Sequence, residues 1–398
     1  MDILSVNIGS SSLKFALYPV AGHGMTAPAR VTGLVERLES GTAPVVRLRS
    51  EQGVHEAQWP LQPGESPLQA ALRALRPMLS QHLGATPLAA VAHRIVHGGP
   101  HFKAPVILDE PVLVELDALS PLAPLHQPFN LAGVRACMQV FEGVPQIGCF
   151  DTAFHQTLGP QESMFALPAA LRAQGIRRYG FHGLSYQYVA QILHTLSDRG
   201  QGRVLMAHLG NGASLCAMQQ GCSVATTMGF SALDGLMMGT RSGAIDPGVL
   251  LYLMQQGWDE ARISRLLYRE SGLLGVSGES ADMRTLRASK SDAARQAIDL
   301  FVHRIQREGG GLMTVMQGVD AVVFTGGIGE HDAATRQAVV HGWQVWGLRL
   351  SLTANEAADG LQPMRIDAPD SAVQIWVIPT DEGRVAAQEA AILLKMNS

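Results

Sequence analysis

The sequence predicts an α/β fold built as two or three closely abutting domains. Three observations carry this. Strand-like and helix-like runs alternate along the whole chain. The 398 residues exceed what a single core usually holds. No low-complexity segment or long linker separates one half from the other. Taken in order, apolar and β-branched runs predict strands at residues 3–8, 13–18, 89–96, 204–208, 214–218, 321–325 and 373–378. Longer runs predict helices at 67–83, 184–195, 292–316, 333–343 and 384–396, with Asp332 a candidate cap for the fourth. Residues 22–24 and 51–64 read as surface turns. A faint internal echo links residues 9–13 (GSSSL) with 210–215 (GNGASL), each a Gly/Ser loop between two strands. Duplication of a domain with a cleft between the halves, or a coincidence of common turn residues, explains it equally well at this point.

Composition narrows the class. Hydrophobic residues make up 46% and charged residues 16% of the chain, enough for sizeable cores and too apolar for disorder. A net charge of −4 with no dominant basic face argues against nucleic acid or an acidic membrane surface as partner. Cys137, Cys149, Cys216 and Cys222 form no C-x-x-C pair, so neither a zinc site nor a disulfide framework is expected. They read as buried thiols of a reducing compartment. The first residues lead straight into a strand without a charged leader, and no apolar run reaches membrane-spanning length. The expectation is a soluble cytoplasmic protein.

Several stretches carry chemistry. A loop of Gly9, Ser10, Ser11 and Ser12 between strands offers backbone N–H groups and hydroxyls in a small space, as phosphate oxygens require, with Lys14 adding charge and Asn7 in reach of a hydrated metal. An ordinary polar turn is the plainer alternative, and the loop is no Walker motif. In 321–330 (AVVFTGGIGE) a strand runs into glycines and a helix start, the arrangement that binds nucleotides. His93 and His97 lie in a strand-like run with no further ligands nearby, which excludes a helical metal site. Arg94 and Val96 share a strand face and place a guanidinium beside an apolar wall, a trap for a small carboxylic acid; a surface arginine is the alternative. Asp151 ends an apolar run, His182 precedes a helix, and glycines bracket Arg241. Residues 379–382 (PTDE) hold Mg²⁺ through water or cap the last helix. Together the inventory suits phosphoryl transfer.

On these residues the chain resembles the acetate kinase (acetokinase) family over its whole length. The resemblance rests on residues 6–14 (VNIGSSSLK), 93–99 (HRIVHGG), 151–155 (DTAFH), 180–183 (GFHG), 208–212 (HLGNG), 238–241 (MGTR), 282–284 (DMR), 327–330 (GIGE) and 379–382 (PTDE). It implies duplicated ribonuclease H-like domains of the actin-like ATPase superfamily with a nucleotide cleft between them. Residues 1–152 plus 384–398 would form an acid-binding domain, and 153–383 a second domain with most nucleotide contacts and the dimer interface. It further implies Mg²⁺ (with Mn²⁺ substituting), ATP/ADP and acetate/acetyl phosphate as small-molecule substrates, no nucleic acid or membrane partner, and a homodimer.

Residue by residue, the resemblance gives Asn7 and Glu382 to the metal, and Arg94, Val96, Leu125 and Phe181 to the acid. Asp151, His182 and Arg241 carry the transfer. Ser10, Ser12, Lys14, His208, Leu209, Gly210, Asn211, Gly212, Asp282, Met283, Arg284, Gly327, Ile328, Gly329, Glu330 and His331 contact the nucleotide. The chain departs from the family pattern at Gln127 and Phe129 (for Asn and His), at His331-Asp332 (for Asn-Ser), at Gly383 (for a second Glu) and at Ala232 (for Pro). A kinase for propionate or another short fatty acid is the close alternative. A sugar kinase of the same superfamily, or a non-catalytic nucleotide-binding protein, fits the paired arginines and separated acids less well.

Overall fold

A run of alternating apolar residues opens the chain and forms the first strand, whose even and odd positions face two different helical layers. The computed structural model describes residues 1–9, 11–20, 27–38, 42–83 and 87–396. Ser10 and the turn expected at 22–24 lie outside the described residues. The chain divides into two compact units, Met1–Ala153 with Asp381–Ser398, and Phe154–Thr380.

The first unit is built on an eight-stranded sheet of β1 (Asp2–Ile8), β2 (Ser12–Pro19), β3 (Val31–Glu36), β4 (Val45–Ser50), β5 (Gly53–Gln58), β6 (Leu88–Ile95), β7 (Val106–Ile107) and β8 (Gln146–Phe150), in the order β5-β4-β3-β2-β1-β6-β8-β7. β1 pairs antiparallel with β2 and parallel with β6, and β6 pairs parallel with β8. Leu4, Val6 and Ile8 join Leu13, Phe15 and Leu17 in a core against helices Pro67–Leu83 and Gln127–Val140. Each such fully buried side chain is worth roughly 1.5–3 kcal/mol. The opposite face of β1 meets helix Glu382–Met396.

The second unit holds a six-stranded sheet of β9 (Arg203–Leu209), β10 (Ala213–Gln219), β11 (Cys222–Thr226), β12 (Ala321–Thr325), β13 (Met364–Arg365) and β14 (Gln374–Val377), in the order β11-β10-β9-β12-β14-β13. Helix Gly183–Leu196 buries Tyr186, Val189 and Leu193 against Val204, Met206, Cys216 and Val323. Helix Asp292–Val315 packs on β9, β10 and β11.

The order β3-β2-β1-β6-β8-β7 repeats as β11-β10-β9-β12-β14-β13, with the same antiparallel and parallel neighbours. The two echoed loops join the first two strands of each set. Gly9 N donates to Ser12 O at 2.9 Å, and Gly210 N donates to Gly212 O at 3.1 Å. Duplication explains the echo.

One expectation fails. Residues 51–64 are not all turn: Gly53–Gln58 forms edge strand β5, held by its ladder to β4. Its GVHEAQ sequence is exposed nearly throughout, so it lacks the one-sided apolar pattern by which a strand is read.

Candidate active site

In the first unit three parallel strands end side by side, and each delivers a polar residue at its carboxyl end, where open α/β sheets bind ligands. Asn7 and Arg94 each lie one residue before the end of their strands, β1 and β6, and Asp151 follows β8, with its N–H donating to Ile95 O at 3.0 Å. Arg94 Nε donates to Asp151 Oδ1 and Oδ2 at 3.0 and 3.1 Å, and Nη2 donates to Oδ2 at 2.6 Å. Arg94 Nη1 reaches Glu382 Oε2 at 2.8 Å. Burial works against the charge on Arg94, but the pull of Asp151, and then of Glu382, outweighs it and raises its pKa. Asp151 is 1% exposed, so its two oxygens are held in one geometry.

Asn130 binds these strand ends together. Its Oδ1 accepts from Val96 N at 3.0 Å and its Nδ2 donates to Ile8 O at 2.6 Å. Asp381 starts the last helix, accepting from Arg384 N at 3.0 Å and from the Tyr18 hydroxyl at 2.6 Å. This accounts for the glycine that follows Glu382. A Cβ at Gly383 would lie 2.7 Å from the Tyr18 hydroxyl and 3.2 Å from Ser5 Oγ. The first turn of the helix therefore crosses β1 at Ser5, two residues before Asn7 on the same strand face. Among the described residues no group of three or more His, Cys, Asp or Glu could hold a metal. One carboxylate (Glu382) and one amide (Asn7) are hard oxygen donors, and suit an ion such as Mg²⁺ that keeps several waters and takes its remaining ligands from substrate phosphates.

Val96 and Leu125 are half-buried in this unit. Ser12 begins β2 half-buried, and Lys14 stands exposed opposite Asn7, beside Phe15, Arg47 and Arg49 along a shallow groove of about 390 Å³. His93 is buried with Nε2 2.7 Å from Gln146 Oε1, and His97 Nδ1 accepts from Gly99 N, so both histidines serve structure.

In the second unit the turn between β9 and β10 gathers the remaining groups. His182 caps helix Gly183–Leu196 in the left-handed region (φ 60°), uncommon for a side-chain-bearing residue. Its ring stacks on His208 with centroids 4.2 Å apart, and its Nδ1 lies 2.8 Å from Ser214 Oγ. His208 Nδ1 lies 2.8 Å from Ser185 Oγ. A Cβ at Gly212 would come 3.3 Å from His182 Nε2, so that nitrogen faces the 210–212 turn at a residue without a side chain. Gly239 N donates to Asn211 O at 3.0 Å, and a Cβ at 239 would run into Asn211 Oδ1. The loop carrying Arg241 is thus fastened to the 210–212 turn by a residue that only glycine can be. Arg241 Nη1 donates to Ala232 O at 3.0 Å, and burial lowers its pKa against an opposing pull from Tyr268. Phe181 is fully buried.

A cavity of about 800 Å³ opens beside this turn. Its lining takes Gly210, Asn211, Asp282, Met283, Arg284, Gly327, Ile328 and His331 from the residues expected at a nucleotide, and adds Ala281, Arg287 and Asp332. Asp282 caps helix Met283–Ala288 and is gripped by Arg284 Nη2 at 2.6 Å, which holds its carboxyl at about 2. Asp332 caps helix Ala333–Gly342 through Thr335 N at 3.0 Å and pairs with Arg287, while His331 Nδ1 lies 2.8 Å from Asp359 O. Both departures at 331–332 are therefore accommodated. His208, Leu209, Gly212, Gly329 and Glu330 border the region without entering this lining. Glu330 Oε1 instead accepts from Gly326 N at 2.8 Å and Thr380 N at 3.0 Å, tying the glycine turn to the end of β14.

Two functional neighbours escaped the sequence. Asn130 stands in a segment read only for its departures at 127 and 129. Arg336, fully buried, donates to Gly329 O at 3.0 Å and Glu330 O at 2.8 Å and anchors the glycine turn from below. An arginine in a helix usually faces solvent, so nothing in the sequence singles it out.

With this geometry in place, the similarities to known proteins take on meaning. The sequence profile of the acetokinase family matches residues 2–388. An acetate kinase of Methylocella silvestris is 44% identical, over 99% of this chain and 98% of its own. One of Rhodopseudomonas palustris is 47% identical, over 97% and 96%. The crystal structure of Porphyromonas gingivalis acetate kinase superposes with a TM-score of 0.86 at 35% identity, covering 99% of both chains. That of a propionate kinase from Francisella tularensis gives 0.88 at 36%, covering 98% of both. Sheet order, duplicated topology and these matches agree, and the chain is an enzyme of the acetokinase family with its duplicated, actin-like ATPase fold.

Proposed function

We propose that this chain catalyses Mg²⁺-dependent, reversible transfer of the γ-phosphoryl group of ATP to acetate, giving acetyl phosphate and ADP. The observation that carries the reading is the Arg94 guanidinium, fixed at the strand ends by Asp151 and Glu382 and flanked by Asn7. A small carboxylic acid has a pKa of roughly 4 and is already ionised near neutrality, so it needs a cation and no general base. In the direct in-line reaction a carboxylate oxygen forms the new P–O bond while the bond from the γ-phosphorus to the β–γ bridging oxygen breaks, and the electron pair leaves with ADP.

The first unit supplies Arg94 for the acid and Asn7 and Glu382 for the metal. The second supplies the cavity for the nucleotide, with Arg241 and His182 set to stabilise charge on the transferred group. Bound Mg²⁺ would neutralise phosphate charge. Propionate is the close second substrate, favoured by Ala232 in place of the family's usual proline and by the likeness to a propionate kinase.

A homodimer is part of this reading. Helix Pro247–Gln255 buries none of its residues, and Leu251, Tyr252 and Met254 are 61%, 59% and 53% exposed. An apolar helix so uncovered suits a self-complementary interface. With no helix long and apolar enough to cross a membrane among the described residues, a cytoplasmic location fits the same reading.

A hydroxamate assay of acyl phosphate formation from acetate, propionate and butyrate, with ATP and Mg²⁺, tests the function. Faster turnover of glucose or glycerol than of acetate or propionate refutes it.

A further inference from the structure

We infer that Ser214 and Tyr186 are positioning residues that fix the tautomer of His182, holding its proton on Nε2. The inference rests on the proposed role of His182 in the transfer. Neither residue belongs to the motifs that mark the site, and both are fully buried.

Counting protons sets the direction of the relay. Ser214 Oγ has two side-chain partners among the described residues: His182 Nδ1 at 2.8 Å and the Tyr186 hydroxyl at 2.5 Å. The Tyr186 hydroxyl is fully buried, with Ser214 Oγ as its hydrogen-bond partner. Its own proton then has one acceptor, Ser214 Oγ. Ser214 has a single proton, and with Tyr186 donating to it, that proton goes to His182 Nδ1. Nδ1 is therefore an acceptor, and in the neutral ring the hydrogen resides on Nε2. The reverse chain, from Nδ1–H through Ser214 to Tyr186, leaves the buried phenol proton with no acceptor.

Geometry makes the tautomer matter. Nε2 is the nitrogen facing Gly212, which has no side chain, and Gly210 and Asn211 of the same turn line the large cavity. An Nε2–H can donate to a phosphoryl oxygen there, whereas a bare Nε2 would turn its lone pair on an anion. The ring cannot flip freely to compensate, because it stacks on His208, which is itself held by Ser185. Hydroxyl relay, stack and left-handed backbone together present one face of one nitrogen.

The test reads the proton directly. With ¹⁵N-histidine-labelled full-length protein at pH 8, long-range proton–nitrogen spectra, with His182 assigned by its loss in His182→Asn, should show Nδ1 unprotonated and Nε2 protonated. In Ser214→Ala that preference should vanish, and kcat should fall roughly ten- to a hundredfold, as when an outer partner of a working histidine is lost, with both KM values within about twofold. Tyr186→Phe, which frees the Ser214 proton to turn away, should give the same signature in weaker form. A wild-type His182 protonated on Nδ1, or a Ser214→Ala protein with unchanged tautomer and kcat, overturns the inference. Failure of the underlying reading shows differently: His182→Asn would turn over at the wild-type rate, while the tautomer, read in the resting protein, still decides the relay.

Discussion

Asp151 grips Arg94 with both carboxylate oxygens, at 2.6 to 3.1 Å, from a position 1% exposed to solvent. A carboxylate committed to charge-assisted bonds on both oxygens is poorly placed to carry a proton, since protonation would break the pair that holds it. The geometry favours Asp151 as the residue that aims the Arg94 cation. Asp151→Asn should therefore lower kcat at least tenfold and raise the acid KM, while the pH profile of acyl phosphate synthesis keeps its shape. A titration in kcat that disappears in Asp151→Asn, with the acid KM unchanged, would establish a proton carrier instead.

Glu382 gives a second expectation about the same cation. It holds Arg94 Nη1 at 2.8 Å, so one guanidinium faces two carboxylates and the cluster carries a net charge of −1. An incoming carboxylate is repelled by that surplus, which would ease if Glu382 turned to a bound divalent cation. The apparent KM for acetate should fall as Mg²⁺ rises at fixed MgATP, and Glu382→Gln should flatten that dependence while weakening the metal requirement itself. An acetate KM indifferent to free Mg²⁺ in the wild type would separate the two roles.

What the sequence made legible, and what it hid, follows from how each feature is encoded. The central strands were readable because burial on both sides writes continuous apolar runs, as in β12 (Ala321–Thr325), and the long helices because one buried face repeats its apolar residues every three or four positions, as in helix Pro67–Leu83. Strands β3, β4 and β5 escaped because they run through charged, half-exposed segments whose order comes from ladder pairing. Charged and glycine-rich site motifs were conspicuous, yet their couplings were not. Nothing in residues 379–382 says that Glu382 closes on Arg94, and nothing in 127–130 says that Asn130 spans Ile8 and Val96. Such contacts join distant segments and exist only once the sheet order is set.

Three buried histidines predict acid lability. Burial is the chief cause holding His93, His97 and His155 near a pKa of about 4, against 6.5 in the unfolded chain. Between these values the unfolded state binds the extra protons, so stability is full above about pH 6.5, falls as pH drops toward 4, and levels below it. Each group contributes a slope of at most about 1.4 kcal/mol per pH unit. Urea unfolding followed from pH 7.5 to 4.5 should show this fall, and His93→Gln should remove about one proton's share of the slope. A flat profile would mean that these rings find acceptors for the added proton in the folded state.

The exposed helix Pro247–Gln255 predicts the oligomeric state. Leu251→Glu combined with Tyr252→Glu places charge in the centre of the proposed interface, where an unpaired buried carboxylate is costly. Light scattering should report about 85 kDa for the wild type, twice the 42.5 kDa chain, and about half that for the double variant. A wild-type monomer, or a variant still dimeric, would move the interface elsewhere.

The last expectation concerns the choice of acid. Ala232 stands where the family's pattern has proline, at a position the resemblance assigns to the acid's apolar wall. Its carbonyl also accepts from Arg241 Nη1 at 3.0 Å, so a change here bears on both the proposed acid wall and the proposed catalytic cation. The two effects can be separated. Alanine is smaller than proline and leaves room for more substrate, and one buried methylene is worth about 0.8 kcal/mol, with pockets discriminating it by roughly 1–3 kcal/mol. Propionate should therefore approach acetate in kcat/KM, with butyrate behind. In Ala232→Pro the carbonyl remains but φ is fixed and the wall thickens. A pocket effect changes the ratio of acetate to propionate, restoring preference for acetate. A displaced carbonyl that disturbs Arg241 lowers kcat for every acid by a common factor and leaves the ratio alone. Measuring kcat and KM for three acids in both proteins distinguishes them. An unchanged ratio would pass the specificity to the other departures, of which Gln127 is the stronger: it is fully buried, with Nε2 donating to His97 O at 3.1 Å and Leu116 O at 3.3 Å, whereas Phe129 is 40% exposed.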